Sequence, residues 1–232
     1  RVQFMYLRPL SFSEFLNASK NHLLKDHLKS VDLENPVYES AHNQALSLVR
    51  EYFALGGMPA VLSEYFKSHD LLIIQNIQTS ILSTFRNDFG KYAKRTPVQH
   101  LETIFSKGPT LIGKWLKYST LDPNVTTPTL KKALSKLCKA GLFILIYSTS
   151  GIGLPLITHS NEKKFKFLFL DTGLVQRECD LDLELLLDED LLLLNNGALA
   201  EQFVGQELLA YFCKDDINKL YSWHRDKKGS SA

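Results

Sequence analysis

A switch of hydrophobic period at Gly141 constrains this chain more than any other feature. Upstream, Leu130, Ala133, Leu134, Leu137 and Cys138 recur at three- and four-residue steps, with Thr127 placed as N-cap, Pro128 in the first turn and Gly141 as the stop. That pattern predicts an amphipathic helix over 127–140. Downstream, 142–147 is a strand-like run and 148–153 a turn-rich tip, while 164–170 alternates lysine with Phe165, Phe167 and Phe169. Alternation of this kind predicts a strand with one buried face. Two shorter helical patterns come first: 97–106 (Val98, Leu101, Ile104, Phe105) and 111–118 around Trp115 and Leu116, separated by Gly108-Pro109. Three helices followed by a β-hairpin is the order of a winged helix-turn-helix.

The remaining segments are mostly helical. Residues 2–7 form a short β-prone run that Pro9 ends, and Ser11 then caps a helix through Glu14, Phe15 and Leu16. Residues 20–36 are polar and charged and finish at Asn35-Pro36, which reads as a connector. From 40 to 55, Ala41, Ala45, Leu48, Val49, Tyr52 and Phe53 mark an amphipathic helix that Gly56-Gly57 stops and Pro59 restarts. A further helix spans 70–89, a leucine-rich acidic stretch follows Gly173, a last helix runs from about 199 to 212, and 219–224 reads as one more strand. The expected class is mainly α with small β elements, an α+β fold.

At 232 residues and 44% hydrophobic, the chain can bury a real core. No apolar run approaches the roughly 18–20 residues that cross a bilayer, so a soluble, cytoplasmic protein without membrane contact is expected. Cys138, Cys179 and Cys213 are widely spaced and the seven histidines are scattered; neither set has the spacing of a disulfide framework or a metal site, so no metal is expected. The net charge of +2 hides an asymmetry: residues 91–166 carry 13 Lys+Arg against three acids, whereas 171–190 carry eight acids against one arginine. A basic segment of this kind attracts a polyanion or a complementary protein surface, or is neutralised by its acidic successor.

Gly108–Trp115 matches all but the last position of a phosphate-binding loop. It is not a nucleotide site. Trp115 replaces the magnesium-binding hydroxyl, a helix precedes it where a strand is required, and Leu111 and Ile112 crowd the loop; a turn between helices fits better. Gly151-Ile152-Gly153 is a hairpin tip, too short for a dinucleotide fingerprint. The strongest functional signal is the outer side of helix 127–140, where Lys131, Lys132, Lys136 and Lys139 stand as phosphate contacts for duplex DNA, with Lys163, Lys164 and Lys166 as a basic wing. A solvated helix face or a protein contact would carry the same residues. Glu201, Gln202 and Glu207 lie on the last helix, and no nucleophile triad or close carboxylate pair is legible.

Several strings occur together in order: Arg1-Val2, then 7–16 (LRPLSFSEFL), 56–59 (GGMP), 89–93 (FGKYA), 169–174 (FLDTGL) and 200–204 (AEQFV). Together they resemble the prokaryotic AAA-type P-loop ATPases with a C-terminal domain of unknown function, of the 4143 type. The resemblance implies a fragment lacking the ATPase core: residues 1–35 as the tail of that core, 36–95 a helical connector, 96–175 the winged helix, and 176–232 the start of a truncated nuclease-like domain. It implies no cofactor in this fragment, and ATP and magnesium in the full-length protein. It further implies a C-terminal fold related to the PD-(D/E)xK nucleases, with Glu201 as the helix glutamate and Leu220–Trp223 as the first strand, incomplete because no acid-x-lysine strand follows. The expected role is a DNA- or partner-binding arm of the ATPase, with nucleic-acid cleavage by the full-length protein or pure protein interaction as alternatives.

Overall fold

The computed structural model describes residues 7–92, 96–181, 183, 196–212 and 220–223. The expected first strand and Cys213 lie outside them. Helix α1 (Phe12–Ala18) begins with a capping box: Ser11 Oγ accepts from the Glu14 amide, and the Glu14 carboxylate accepts from the Ser11 amide at 2.7 Å. Residues 20–36, expected as a connector, contain helix α2 (His22–Lys29), because Leu24 and Leu28 share one stripe and Leu24 is buried. Helices α3 (Glu39–Leu55), α4 (Pro59–Ser68), α5 (Leu71–Tyr92) and α6 (Val98–Lys107) follow. The oxygen of Asp70 caps α5 by accepting from the amides of Leu72 and Ile73.

The helix expected over 111–118 is absent. After a 3-10 turn at Pro109–Leu111 the chain extends, and Leu116 exchanges backbone hydrogen bonds with Phe165 at 2.8 and 3.2 Å. Side chains therefore alternate, with Leu116 and Tyr118 buried and Lys117 exposed. Apolar residues at 112 and 116 fit either period, and pairing with a distant strand decides between them. A short α7 (Tyr118–Leu121) leads to α8 (Thr127–Lys139), whose N-cap is Thr126 rather than Thr127. Its end is a Schellman motif: Gly141, at φ 77°, donates to the Cys138 carbonyl, and Leu142 donates to the Leu137 carbonyl.

Strands β1 (Phe143–Thr149) and β2 (Ser160–Phe169) pair antiparallel, from Phe143 opposite Phe169 to Tyr147 opposite Phe165, with a register shift after Tyr147. The loop between them spans 150–159, longer than the expected tip. Next come α9 (Thr172–Glu178), α10 (Asn196–Phe212) and β3 (Tyr221–Trp223), which pairs parallel to β1 to give a mixed sheet in the order β2-β1-β3. The class is α+β. One sheet face, bearing Phe143, Phe165, Phe167 and Phe169, enters the main core; the rings of Phe167 and Phe169 lie 4.9 and 5.0 Å from that of Phe143. The other is not left to solvent, as a strand with one buried face implied. Ile144, Ile146 and Leu168 bury there with Leu209 of α10. A single core cluster joins Phe15, Leu55, Phe105, Leu134 and Leu199, so residues from all four expected segments share it, and the boundary at 175 falls inside α9. No helix among the described residues is long and apolar enough to cross a membrane.

Four of the recurring strings meet in one buried junction. Asp171, fully buried, accepts from the Gly57 amide at 2.6 Å and from the Leu174 amide at 3.1 Å, which makes it the N-cap of α9. Gln206 accepts from the Thr172 amide at 3.1 Å and donates to the Tyr52 hydroxyl, which in turn donates to the Leu10 carbonyl. Gln202 holds both the N–H and the C=O of Phe169, at 2.9 and 2.8 Å, as a neighbouring strand would. Burial pushes the Asp171 carboxyl up to about 6, against the pull of the Gly57, Leu174 and Gly173 amides. A carboxyl raised on folding holds its proton longer in the native state, so its contribution to stability falls as pH rises from about 4 to about 6, by about 3 kcal/mol. Asp171→Asn is expected to lack that fall. Urea unfolding of both proteins across this range checks it, and parallel pH profiles would refute it.

Candidate nucleic-acid interface

Helix α8 buries Leu130, Ala133, Leu134 and Leu137 against the core, and this orientation turns its basic residues outward. Lys131, Lys132 and Lys139 are exposed and Lys136 is half-buried. Lys131 Nζ lies 3.6 Å from Glu162 of β2, with both side chains more than half exposed. Such a pair contributes little to stability.

The three β2 lysines have different surroundings. Lys163 is exposed, whereas Lys164 and Lys166 are half-buried with their ammonium groups 4.9 and 5.1 Å from the Trp115 ring centre. Lys166 also donates to Glu201 of α10 at 2.6 Å, with the lysine side chain only 15% exposed. Thus the helix glutamate and one wing lysine, read from sequence as parts of two separate sites, form one ion pair that ties α10 to the sheet. Lys131 and Lys163 border a common cleft, and Lys166 points to the α10 side.

The extended segment before α7 supplies groups that sequence reasoning missed. Lys117 joins the basic cleft, and Trp115 forms the platform under Lys164 and Lys166. The local signal was the buried–exposed–buried order of Leu116, Lys117 and Tyr118, masked by the helical spacing of Ile112 and Leu116. No group of three or more His, Cys, Asp or Glu among the described residues is placed to hold a metal ion. Burial pushes the Cys138 thiol up to about 12 and raises that of Cys179, so neither is a ready nucleophile. The loop 150–159, which leads into β2, exposes Ile152 and Leu154, 80% and 87% accessible.

A family model described as Domain of unknown function (DUF8612) matches residues 46–184. The chain belongs to that family. The DUF8612 match begins within α3 and takes in the Gly56-Gly57 turn, α8, the β1–β2 hairpin and Asp171, so the basic surface and most of the buried junction lie inside it. Glu201, Gln202 and Gln206 of α10 lie beyond the matched residues. The description of DUF8612 specifies no activity. No curated protein and no solved structure matches the chain.

Proposed function

We propose that the chain is a duplex-DNA-binding arm of a prokaryotic AAA-type ATPase, built on a winged helix-turn-helix. The observation that carries the reading is the outward lysine face of α8 beside the β1–β2 hairpin. The element order supports it: α6, the Leu116 segment paired with β2, α7, α8, β1 and β2 follow one another as the helices and strands of a winged helix do. Under this reading α8 enters the major groove, and Lys131, Lys132, Lys136, Lys139, Lys163 and Lys164 contact phosphates. The assignment to an AAA-type parent rests on the ordered strings alone, with ATP and magnesium bound by the parent's core.

Fluorescence anisotropy of the full chain with a labelled duplex, at a series of salt concentrations, tests the DNA reading. Six phosphate contacts predict a log-log salt slope of about −5. No measurable affinity at low salt, or a slope near zero, would refute it. A second reading is favoured by the apolar loop 150–159: a protein-interaction module that docks through Ile152 and Leu154. Recovery of a protein partner that survives nuclease treatment and is lost on Leu154→Ser supports that alternative.

A further inference from the structure

A cleft of about 550 Å³ opens between the segment before α7, the first turns of α8, and β2. Its walls include Lys117, Ser119, Thr127, Lys131, Glu162 and Lys163. We propose that this cleft is a phosphate-binding subsite that takes one phosphodiester of the duplex backbone, with Lys117, Ser119 and Thr127 as ligands alongside Lys131 and Lys163. The inference rests on the DNA-binding reading above and names residues that reading does not use.

Three features converge. First, three ammonium groups share the cleft with one carboxylate, Glu162, which is 68% exposed and only loosely paired. Like charges gathered in one concavity repel unless an anion joins them. Second, the positive end of α8 adds to the same field: no acid lies in its first turn, and the Thr126 hydroxyl sits 2.9 Å from the Thr129 hydroxyl instead of capping the helix. Third, Ser119 and Thr127 bring hydroxyl donors to the cleft, the complement that phosphate oxygens require alongside ammonium. The cleft borders the same α8 and β2 lysines that the DNA reading places on the duplex backbone, which favours a phosphodiester over a free ion.

The test uses the full chain, a labelled duplex, and the variants Lys117→Ala/Ser119→Ala, both residues outside the six contacts of the DNA reading, and Glu162→Gln. Loss of one phosphate contact is expected to flatten the salt slope by about 0.9 and to weaken binding about tenfold at 0.1 M salt, equally for unrelated duplex sequences. Glu162→Gln, which removes the carboxylate that shares the cleft among the described residues, is expected to tighten binding severalfold; mere unfolding cannot produce that gain. If wild type binds duplex and the double variant keeps its slope and affinity, the subsite is refuted and the DNA reading stands. If wild type does not bind duplex at low salt, both fall. Inorganic phosphate is the remaining arm. Competition beyond that of chloride at equal ionic strength, abolished in the double variant, would assign the cleft to the free ion and overturn the phosphodiester assignment.

Discussion

Gly56→Ala is expected to destabilise the fold by about 3–5 kcal/mol, measured as a shift of the urea unfolding midpoint at constant m-value. Gly56 has φ 75°, where a side chain costs about 1–2 kcal/mol. A Cβ there would stand 1.9 Å from Asp171 Oδ1 and 2.7 Å from its Cγ. Asp171 cannot retreat freely, because its oxygens satisfy the Gly57 and Leu174 amides, and each buried donor left alone costs about 1–3 kcal/mol. Gly90→Ala is the control. That glycine lies within α5 with open space around it and no positive φ, so alanine is expected to stabilise by about 0.5–1 kcal/mol. A Gly56→Ala loss below about 1 kcal/mol would contradict the description of the junction as tightly packed.

Reversing the charge of Lys132, Lys136 and Lys139 together is expected to lower duplex affinity by about 10²–10³-fold at 0.1 M salt, or about 3–4 kcal/mol, and to flatten the salt slope by about three. The buried face of α8 is Leu130, Ala133, Leu134 and Leu137, so the three substitutions leave the core packing alone. Anisotropy reads the affinity, and an unchanged far-UV circular dichroism spectrum shows that the helix survives. Full affinity in a folded triple variant would remove α8 as the recognition helix and shift weight to the protein-docking reading. A loss confined to one duplex sequence would instead mark the lysines as base readers, since phosphate contacts weaken all sequences alike.

The segments legible in the sequence are those whose signals are local. Helix α8 was readable because four apolar residues at helical spacing, a proline in the first turn and a terminal glycine all agree within 15 residues. Ser11 and Glu14 announced α1 in the same way through a capping box. What was misread depends on distant partners. The segment around Leu116 is extended because Phe165 supplies its hydrogen bonds from 49 residues away, and α2 forms where composition suggested a connector, with Leu24 buried on one side. Lys166 looked like a solvent-facing wing residue, yet α10 covers that side of the sheet and pairs it with Glu201.

The recurring strings gain their physical meaning from the junction. Gly56 and Gly57 make room for the Asp171 carboxylate and the Leu10 carbonyl, and Gln202 and Gln206 serve the backbone of Phe169 and Thr172. These contacts bridge separations of 33 to 114 residues, beyond the reach of any periodicity.

Read alone, the residue order settled the class, most helix positions, the hairpin after Gly141 and the basic outer side of α8, because each follows from side-chain spacing over one or two turns. Chain folding alone decided that the sheet is covered on both faces, that Glu201 neutralises Lys166, and that Lys117 joins Lys131 and Lys163 in one cleft. Those outcomes depend on which surfaces meet, and burial and Coulomb energies act on distance in space, which position along the chain does not encode.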